Sequence, residues 1–338
     1  MKIIKRTISI ISISALLVLA MVGFRFLVND DRNSMTRITL HDFYEQEENT
    51  DILYVGSSHC YRSYIPEVSD EILGGHSFNL GTSAQRIDGS FALIKEAVGR
   101  NDISTIVLDI YFDMIETVPR SERTELTSTY AISDYMKPSI NWFTYLLRAS
   151  SSDYYVNSFI VGRRSWDKLF DYYYVRDLVK DKLGEKYRNY SEDIDSFDGS
   201  YYVGRGYWAN DSLLKDYVPE EGETGTIHID VTGFNKQWGD TLKQIIEYCG
   251  SKDIKLVLAA APMPISTFER IDNYSEYMEF INGQIKDTGI VYLDFNLLES
   301  GRVIASDEDN FMDDDHLNRV GADKYTRVFG KYLSDYGK

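Results

Sequence analysis

Only two cysteines, six prolines and five histidines occur in this chain of 338 residues. Cys60 and Cys249 allow at most one disulfide, which excludes a cystine-stapled secreted scaffold. Cys60, close to a candidate serine, reads as a small packing residue rather than a nucleophile. No Cys-x-x-Cys, His-Glu-x-x-His or Walker sequence appears, so the short signatures of structural zinc, dithiol redox and nucleotide chemistry are missing. Positive charge is also scarce. With 36 Lys and Arg against 53 Asp and Glu, the formal net charge is −17. There is no basic face to neutralise phosphates, which excludes nucleic acid as a partner. There is no internal repeat and no low-complexity tract. What the chain has in excess is tyrosine, 26 of them, many in the middle third.

A single long apolar run is present. Thr7 to Phe24 carries no charge and is flanked by Lys2, Lys5 and Arg6. Roughly 20 such residues are needed to span a bilayer. The basic flank keeps the start of the chain cytoplasmic and sends everything after Arg25 outward. A cleaved signal peptide is the rival reading, but Ala20-Met21-Val22 puts valine where a small residue is wanted. Residues 1–29 are therefore expected to form an uncleaved membrane anchor. Residues 30–50, polar and acidic, read as a linker.

From residue 51 the pattern becomes α/β. Asp51-Ile-Leu-Tyr-Val-Gly56 is a compact apolar run closed by a turn, and Phe78-Asn79-Leu80-Gly81 is a second, shorter one. Arg86 to Gly99 has helical spacing, and Thr105 to Tyr111 is a further buried strand. Beyond an interruption the rhythm resumes. Phe234–Cys249 reads as a helix, Lys255–Ala261 as a strand, Tyr274–Ile285 as a helix and Ile290–Asp294 as a strand. A last helix follows His316, with Leu317, Val320, Tyr325, Val328, Phe329 and Tyr332 as its apolar stripe. The expected fold is a doubly wound parallel sheet of about five strands over residues 51–335. It is interrupted at 116–226 by a helical, aromatic-rich insertion. In such sheets ligands collect at the carboxyl ends of the strands. Ser58, Gly81, Tyr111, Met263 and Asp294 all fall at or just past such ends.

Two short stretches carry the chemistry. Gly56-Ser57-Ser58-His59 closes the first strand, and Asp313-Asp314-Asp315-His316 lies near the C-terminus. A serine hydroxyl is a weak nucleophile until a base takes its proton, and the base works best when a third group orients it. Ser58 is the candidate nucleophile, with Ser57 as its neighbouring alternative. His316 is the candidate base, and Asp313, one helical turn earlier, the group that holds the imidazole. The backbone N–H groups of Ser58 and Gly81 are the expected oxyanion donors, each worth ~3–4 kcal/mol. His59 reads as a turn residue. The aspartates 307, 309, 313, 314 and 315 fit no calcium loop, and no metal is expected. Asn79 and Tyr111 at strand ends, with Tyr207 and Trp208 in the Gly204–Trp208 loop, are candidate substrate contacts.

These residues resemble the SGNH (GDSL-type) hydrolase superfamily. The matching stretches are Gly56-Ser57-Ser58, Asn79-Leu80-Gly81 and Asp313-Asp314-Asp315-His316-Leu317-Asn318. The Gly-Ser-Ser variant behind one N-terminal anchor looks most like the branch of the DltD-type and alginate-acetylation proteins. The resemblance covers roughly residues 51–115 and 228–335. It departs at Asp109-Ile110-Tyr111-Phe112, where the superfamily's Gly-x-Asn-Asp block, source of a third oxyanion donor, would stand. It implies an extracytoplasmic serine esterase or O-acyltransferase working through an acyl-serine on cell-surface polysaccharide, without a cofactor. A cell-surface glycan or acyl donor would be its substrate, and a multi-spanning membrane O-acyltransferase its implied partner. The alternatives are a plain carbohydrate esterase and an inactive glycan-binding or scaffold subunit.

Overall fold

The computed structural model describes residues 2–114, 122–219, 224–231 and 236–335. Its strands are β1 (Ile52–Val55), β2 (Ser77–Asn79), β3 (Thr105–Asp109), β4 (Tyr201–Gly204), β5 (Tyr207–Ala209), β6 (Lys255–Ala260) and β7 (Val291–Asp294). Five of them form one parallel sheet in the order β2-β1-β3-β6-β7. The near-continuous apolar strands Ile-Leu-Tyr-Val and Lys-Leu-Val-Leu-Ala-Ala are what a sheet covered on both faces requires. β1 is followed by its neighbour on one side, and β3 then takes the other side. The winding therefore reverses between β1 and β3, opening a crevice at their carboxyl ends. Each strand and helix expected in the α/β stretches is present within a few residues of its expected bounds. The start of the helix expected from Phe234 lies outside the described residues.

The chain divides into two compact units. One comprises Met35–Tyr145 and Ser196–Lys338, the other Met1–Ser34 and Leu146–Asp195. In the first, the helix Arg319–Asp335 buries Ala322, Tyr325, Phe329 and Leu333, spaced to lie on one face. Val320, expected in that stripe, is exposed. Tyr54, Tyr64, Phe295, Tyr325 and Phe329 meet in stacked, tilted and edge-on pairs 4.8–6.3 Å apart. Each such ring contributes about 2–3 kcal/mol by leaving water. Tyr325 donates to the Tyr64 hydroxyl at 3.0 Å, and Tyr64 to Asp109 Oδ2 at 2.8 Å, so the polar ends are satisfied too.

Two expectations change here. Residues 30–50 are not a plain linker, because Met35–Glu45 is a helix burying Ile38, Leu40 and Phe43, and Phe43 packs edge-on against Phe78. Met35, Ile38, Leu40 and Phe43, two or three apart among polar neighbours, are the apolar positions it buries. Nor is 116–226 one insertion: its described residues fall in both units. Residues 115–121 and 220–223 lie outside the described part.

Between these, β4 and β5 form a hairpin whose two-residue turn, Arg205-Gly206, has φ of +47° and +83°. Arg205 accepts from the Asn79 backbone N–H at 2.9 Å. A Cβ on Gly206 would stand 1.7 Å from the Asn79 carbonyl oxygen, so only glycine fits.

The other unit contains the apolar helix Lys2–Val28. Its Ile4–Val28 stretch is long and apolar enough to cross a membrane. Gly162 lies directly against the Phe24 ring. Lys182, 2% exposed, pairs with Asp31 at 2.8 Å and donates to the carbonyl of Asn29. Burial pulls the Lys182 ammonium below its ordinary pKa, against the pull of Asp31.

Candidate active site

Gly56 sets the position of the first side chain. A Cβ there would come within 2.8 Å of Asp109 Cβ and 2.9 Å of Cys60 Cβ, so glycine lets β1 turn tightly across the end of β3. Ser57 stands just before, and Ser58 opens, the helix Ser58–Ser63, and the Ser57 hydroxyl makes no cap bond. The Ser58 backbone N–H is thus one of the first-turn donors that helical bonding leaves unused.

The second side chain arrives on a braced loop. Met312 and His316 join backbone to backbone at 3.0 Å, beside a bridge between Phe311 and Leu317. Asn318 ties the loop to the last helix. Its Nδ2 donates to the Asp309 and Phe311 carbonyls at 2.8 and 3.2 Å, while its Oδ1 accepts from Val320 and Gly321 at 3.0 Å as a helix cap. The three aspartates before His316 then have three separate fates. Asp313 Oδ1 accepts from the backbone N–H of Asp315 and His316 at 2.9 and 2.6 Å. Asp314 pairs with Arg270 at 3.2 Å. Asp315 receives the Tyr111 hydroxyl. None of them caps the helix.

The result is a linear chain of three groups. His316 Nε2 lies 2.8 Å from Ser58 Oγ, and His316 Nδ1 lies 3.0 Å from Asp313 Oδ2. Burial pushes the Asp313 carboxyl up, but the hydrogen bonds and charge of His316 outweigh it and hold the group below its ordinary value. Asp313 is therefore an anion at neutral pH, facing the nitrogen that must carry a proton if the other is to accept one.

Behind this chain stands a second imidazole. His59 is buried, stacked on Tyr111 with ring centres 3.7 Å apart, and 4.8 Å from the His316 ring. Its Nε2 lies 3.1 Å from Asp315 Oδ1 but off the line of a hydrogen bond. Burial lowers the His59 pKa, and the nearby carboxylates, Asp315 foremost with Asp109 and Asp313, more than reverse that. Burial likewise opposes ionisation of Asp315, yet the two imidazoles and Tyr111 hold it far below its ordinary value. A cavity with room for about one water lies beside His59, bounded by Asp109, Tyr111, Ala261 and Asn296. Sequence reading took His59 for a turn residue and gave Asp315 no role. Nothing local in the sequence pairs them.

Other expected residues sit elsewhere. The Gly81 N–H donates to Asn79 Oδ1 at 2.9 Å, so it is engaged rather than aimed at an oxyanion. Asn79, fully buried, spends its Nδ2 on the carbonyls of Cys60 and Tyr64 at 2.9 and 3.0 Å, bracing the turn instead of reaching substrate. Tyr207 and Trp208 are core residues, 2% and 1% exposed, and Trp208 donates to Thr39 Oγ1 at 2.9 Å. Their loop is held by the hairpin's docking on β2. Tyr111 does reach the site, through Asp315 and His59. Cys60 and Cys249 are both buried and unpaired.

No family model matches the chain, and no curated protein matches it. Among solved structures, one described as a proposed platelet activating factor from Streptococcus pneumonia aligns over 94% of this chain and 99% of its own, at 10% identity and a TM-score of 0.38. A likeness at that level fixes neither fold nor activity.

Proposed function

We propose that the protein is a serine esterase or O-acyltransferase that works outside the cytoplasmic membrane on acyl esters of cell-surface polysaccharide. The observation that carries this reading is the 2.8 Å contact of Ser58 Oγ with His316 Nε2, backed by Asp313 at 3.0 Å. In the first half-reaction Ser58 Oγ attacks the acyl carbonyl carbon while its proton passes to His316 Nε2. Asp313 stabilises the imidazolium. The Ser58 N–H, at the start of its helix, is the oxyanion donor that remains once Gly81 is set aside. Collapse of the tetrahedral intermediate breaks the ester bond, and the leaving alkoxide takes the proton from His316. In the second half a sugar hydroxyl or water gives its proton to His316 and attacks the acyl-serine, releasing Ser58.

The substrate class rests on the resemblance to the SGNH superfamily and its envelope-acylating branch, as does a membrane O-acyltransferase that would feed the acyl group. Location rests on the Ile4–Val28 helix with its basic flank. In the same unit Trp166, Phe170, Tyr172 and Tyr173 are exposed, the residue types that suit a membrane interface. A fluorophosphonate probe with peptide mapping tests the chemistry. Label is expected on Ser58 and is expected to vanish in Ser58→Ala, together with turnover of small activated esters. Label on another residue, or turnover surviving in Ser58→Ala, overturns the reading. Release of free acid that is indifferent to added glycan would mark an esterase rather than a transferase.

A further inference from the structure

The proton path just described makes no use of His59, although its imidazole is buried within the same cluster. Its Nε2 has no hydrogen-bond partner among the described residues and lies 3.1 Å from Asp315 Oδ1. Asp315 Oδ2 in turn lies 3.8 Å from His316 Nε2. One ligand-type atom from each of His59, Asp315 and His316 thus falls within 4.8 Å of the other two. We propose that these three side chains form a zinc site, and that zinc bound there takes His316 away from Ser58.

The distances suit that ion. Tetrahedral zinc with bonds of about 2.0–2.1 Å holds its ligand atoms roughly 3.3 Å apart. The separations of 3.1 and 3.8 Å are to different oxygens of Asp315, so a turn of that carboxylate, with a rotation of His316 away from Ser58, brings one oxygen and both ring nitrogens to this spacing. Two imidazoles and one carboxylate are a nitrogen-rich set that zinc favours, whereas calcium and magnesium want oxygen alone. Three protein ligands leave a fourth position for water. The supporting contacts are also those of a metal centre. Ligating histidines commonly hold a carboxylate on the other ring nitrogen, as His316 holds Asp313. Ligating carboxylates are themselves hydrogen-bonded, as Asp315 is by Tyr111. Because His316 Nε2 has one lone pair, it serves either Ser58 or the metal. Occupancy and nucleophile activation therefore exclude each other.

The site stands on geometry alone, while its inhibitory effect rests on the catalytic reading, and the experiment separates the two. Chelator-treated full-length protein in detergent is titrated with Co2+, read by the intense visible absorption of a tetrahedral ion, and then with Zn2+ as competitor. One ion per chain is expected. His59→Gln is expected to weaken binding at least ~100-fold, and Tyr111→Phe, which keeps all three ligands, ~10-fold or more. Ser58→Ala is expected to bind as tightly as the parent or tighter. Zinc is expected to suppress fluorophosphonate labelling of Ser58 in the parent, reversibly with chelator, and not in His59→Gln. Binding unchanged in both His59→Gln and Tyr111→Phe, or no binding at all, overturns the site. Tetrahedral binding with the expected variant pattern, in a protein that never labels at Ser58, would leave the metal site standing and remove the catalytic reading instead.

Discussion

The two units differ in how they bury their aromatic residues, although the sheet unit too leaves Phe143, Phe197 and Tyr201 exposed. Around the sheet, Tyr54, Tyr64, Phe295, Tyr325 and Phe329 are interior, and the hydroxyls among them are hydrogen-bonded. In the unit built on the apolar helix, Trp166, Phe170, Tyr172 and Tyr173 are exposed, by 55% to 80%. That unit is fastened by charge, with Lys182, Asp31, Tyr187, Arg32 and Asp181 holding the end of the long helix. A parallel sheet covered on both faces removes enough apolar surface from water to fix side chains to a fraction of an ångström, which a proton transfer needs. Short helices around one long apolar rod cannot bury that much. Their leftover aromatic surface is what a bilayer interface would cover.

Three changes test how far that contrast holds. The largest effect is expected within the sheet unit. Asp313→Asn keeps the shape of the loop but removes the anion that orients His316, and should lower ester turnover ~10⁴-fold, as in comparable triads. A loss under tenfold would mean that the rigid cluster does not depend on its carboxylate. Lys182→Met probes the other unit. It leaves Asp31 buried without its cation and should cost ~3–5 kcal/mol in denaturant unfolding. Turnover at Ser58 should be unchanged under native conditions, and a matching loss of activity would break the contrast. The smallest effect concerns Asp109, whose carboxyl burial pushes from its ordinary 3.8 up to about 6. A folded-state pKa above the unfolded one means the native state holds the proton more tightly. Stability from this group is therefore present at low pH and lost as pH rises from about 3.8 to about 6. Asp109→Asn, which keeps an acceptor for Tyr64, should remove that loss. Its stability relative to the parent should grow across the window to ~2–3 kcal/mol at neutral pH. A difference flat with pH would show that burial leaves the Asp109 pKa at its ordinary value.

The parallel sheet was readable because its strands are short apolar runs closed by glycine or a turn, and its helices keep a clean period. Asp313 and His316 were readable because a spacing of three residues is a local fact. The hairpin at 201–209 was missed. Its turn, Gly204-Arg205-Gly206, stays in place through contacts with Asn79 and Asp42 that no local pattern announces. The same reason explains Tyr207 and Trp208. An aromatic pair in a glycine-rich loop looks exposed until the surface it docks on is known. That the Gly81 N–H donates to Asn79, two residues earlier, was not legible either, because a strand-end glycine leaves its N–H available only if no nearby side chain claims it.

The sequence by itself determined an acidic α/β body, one apolar helix of membrane-spanning length, and two short stretches with the residue types of a serine hydrolase. Periodicity and motif spacing are properties of neighbouring residues, so they survive without coordinates. Tertiary structure alone decided that Ser58 and His316 lie within hydrogen-bond reach, which aspartate faces which imidazole, and that His59 is enclosed beside Asp315. Those are contacts between distant parts of the chain. They exist only where the crossover after β1 and the loop before the last helix are brought to the same end of the sheet.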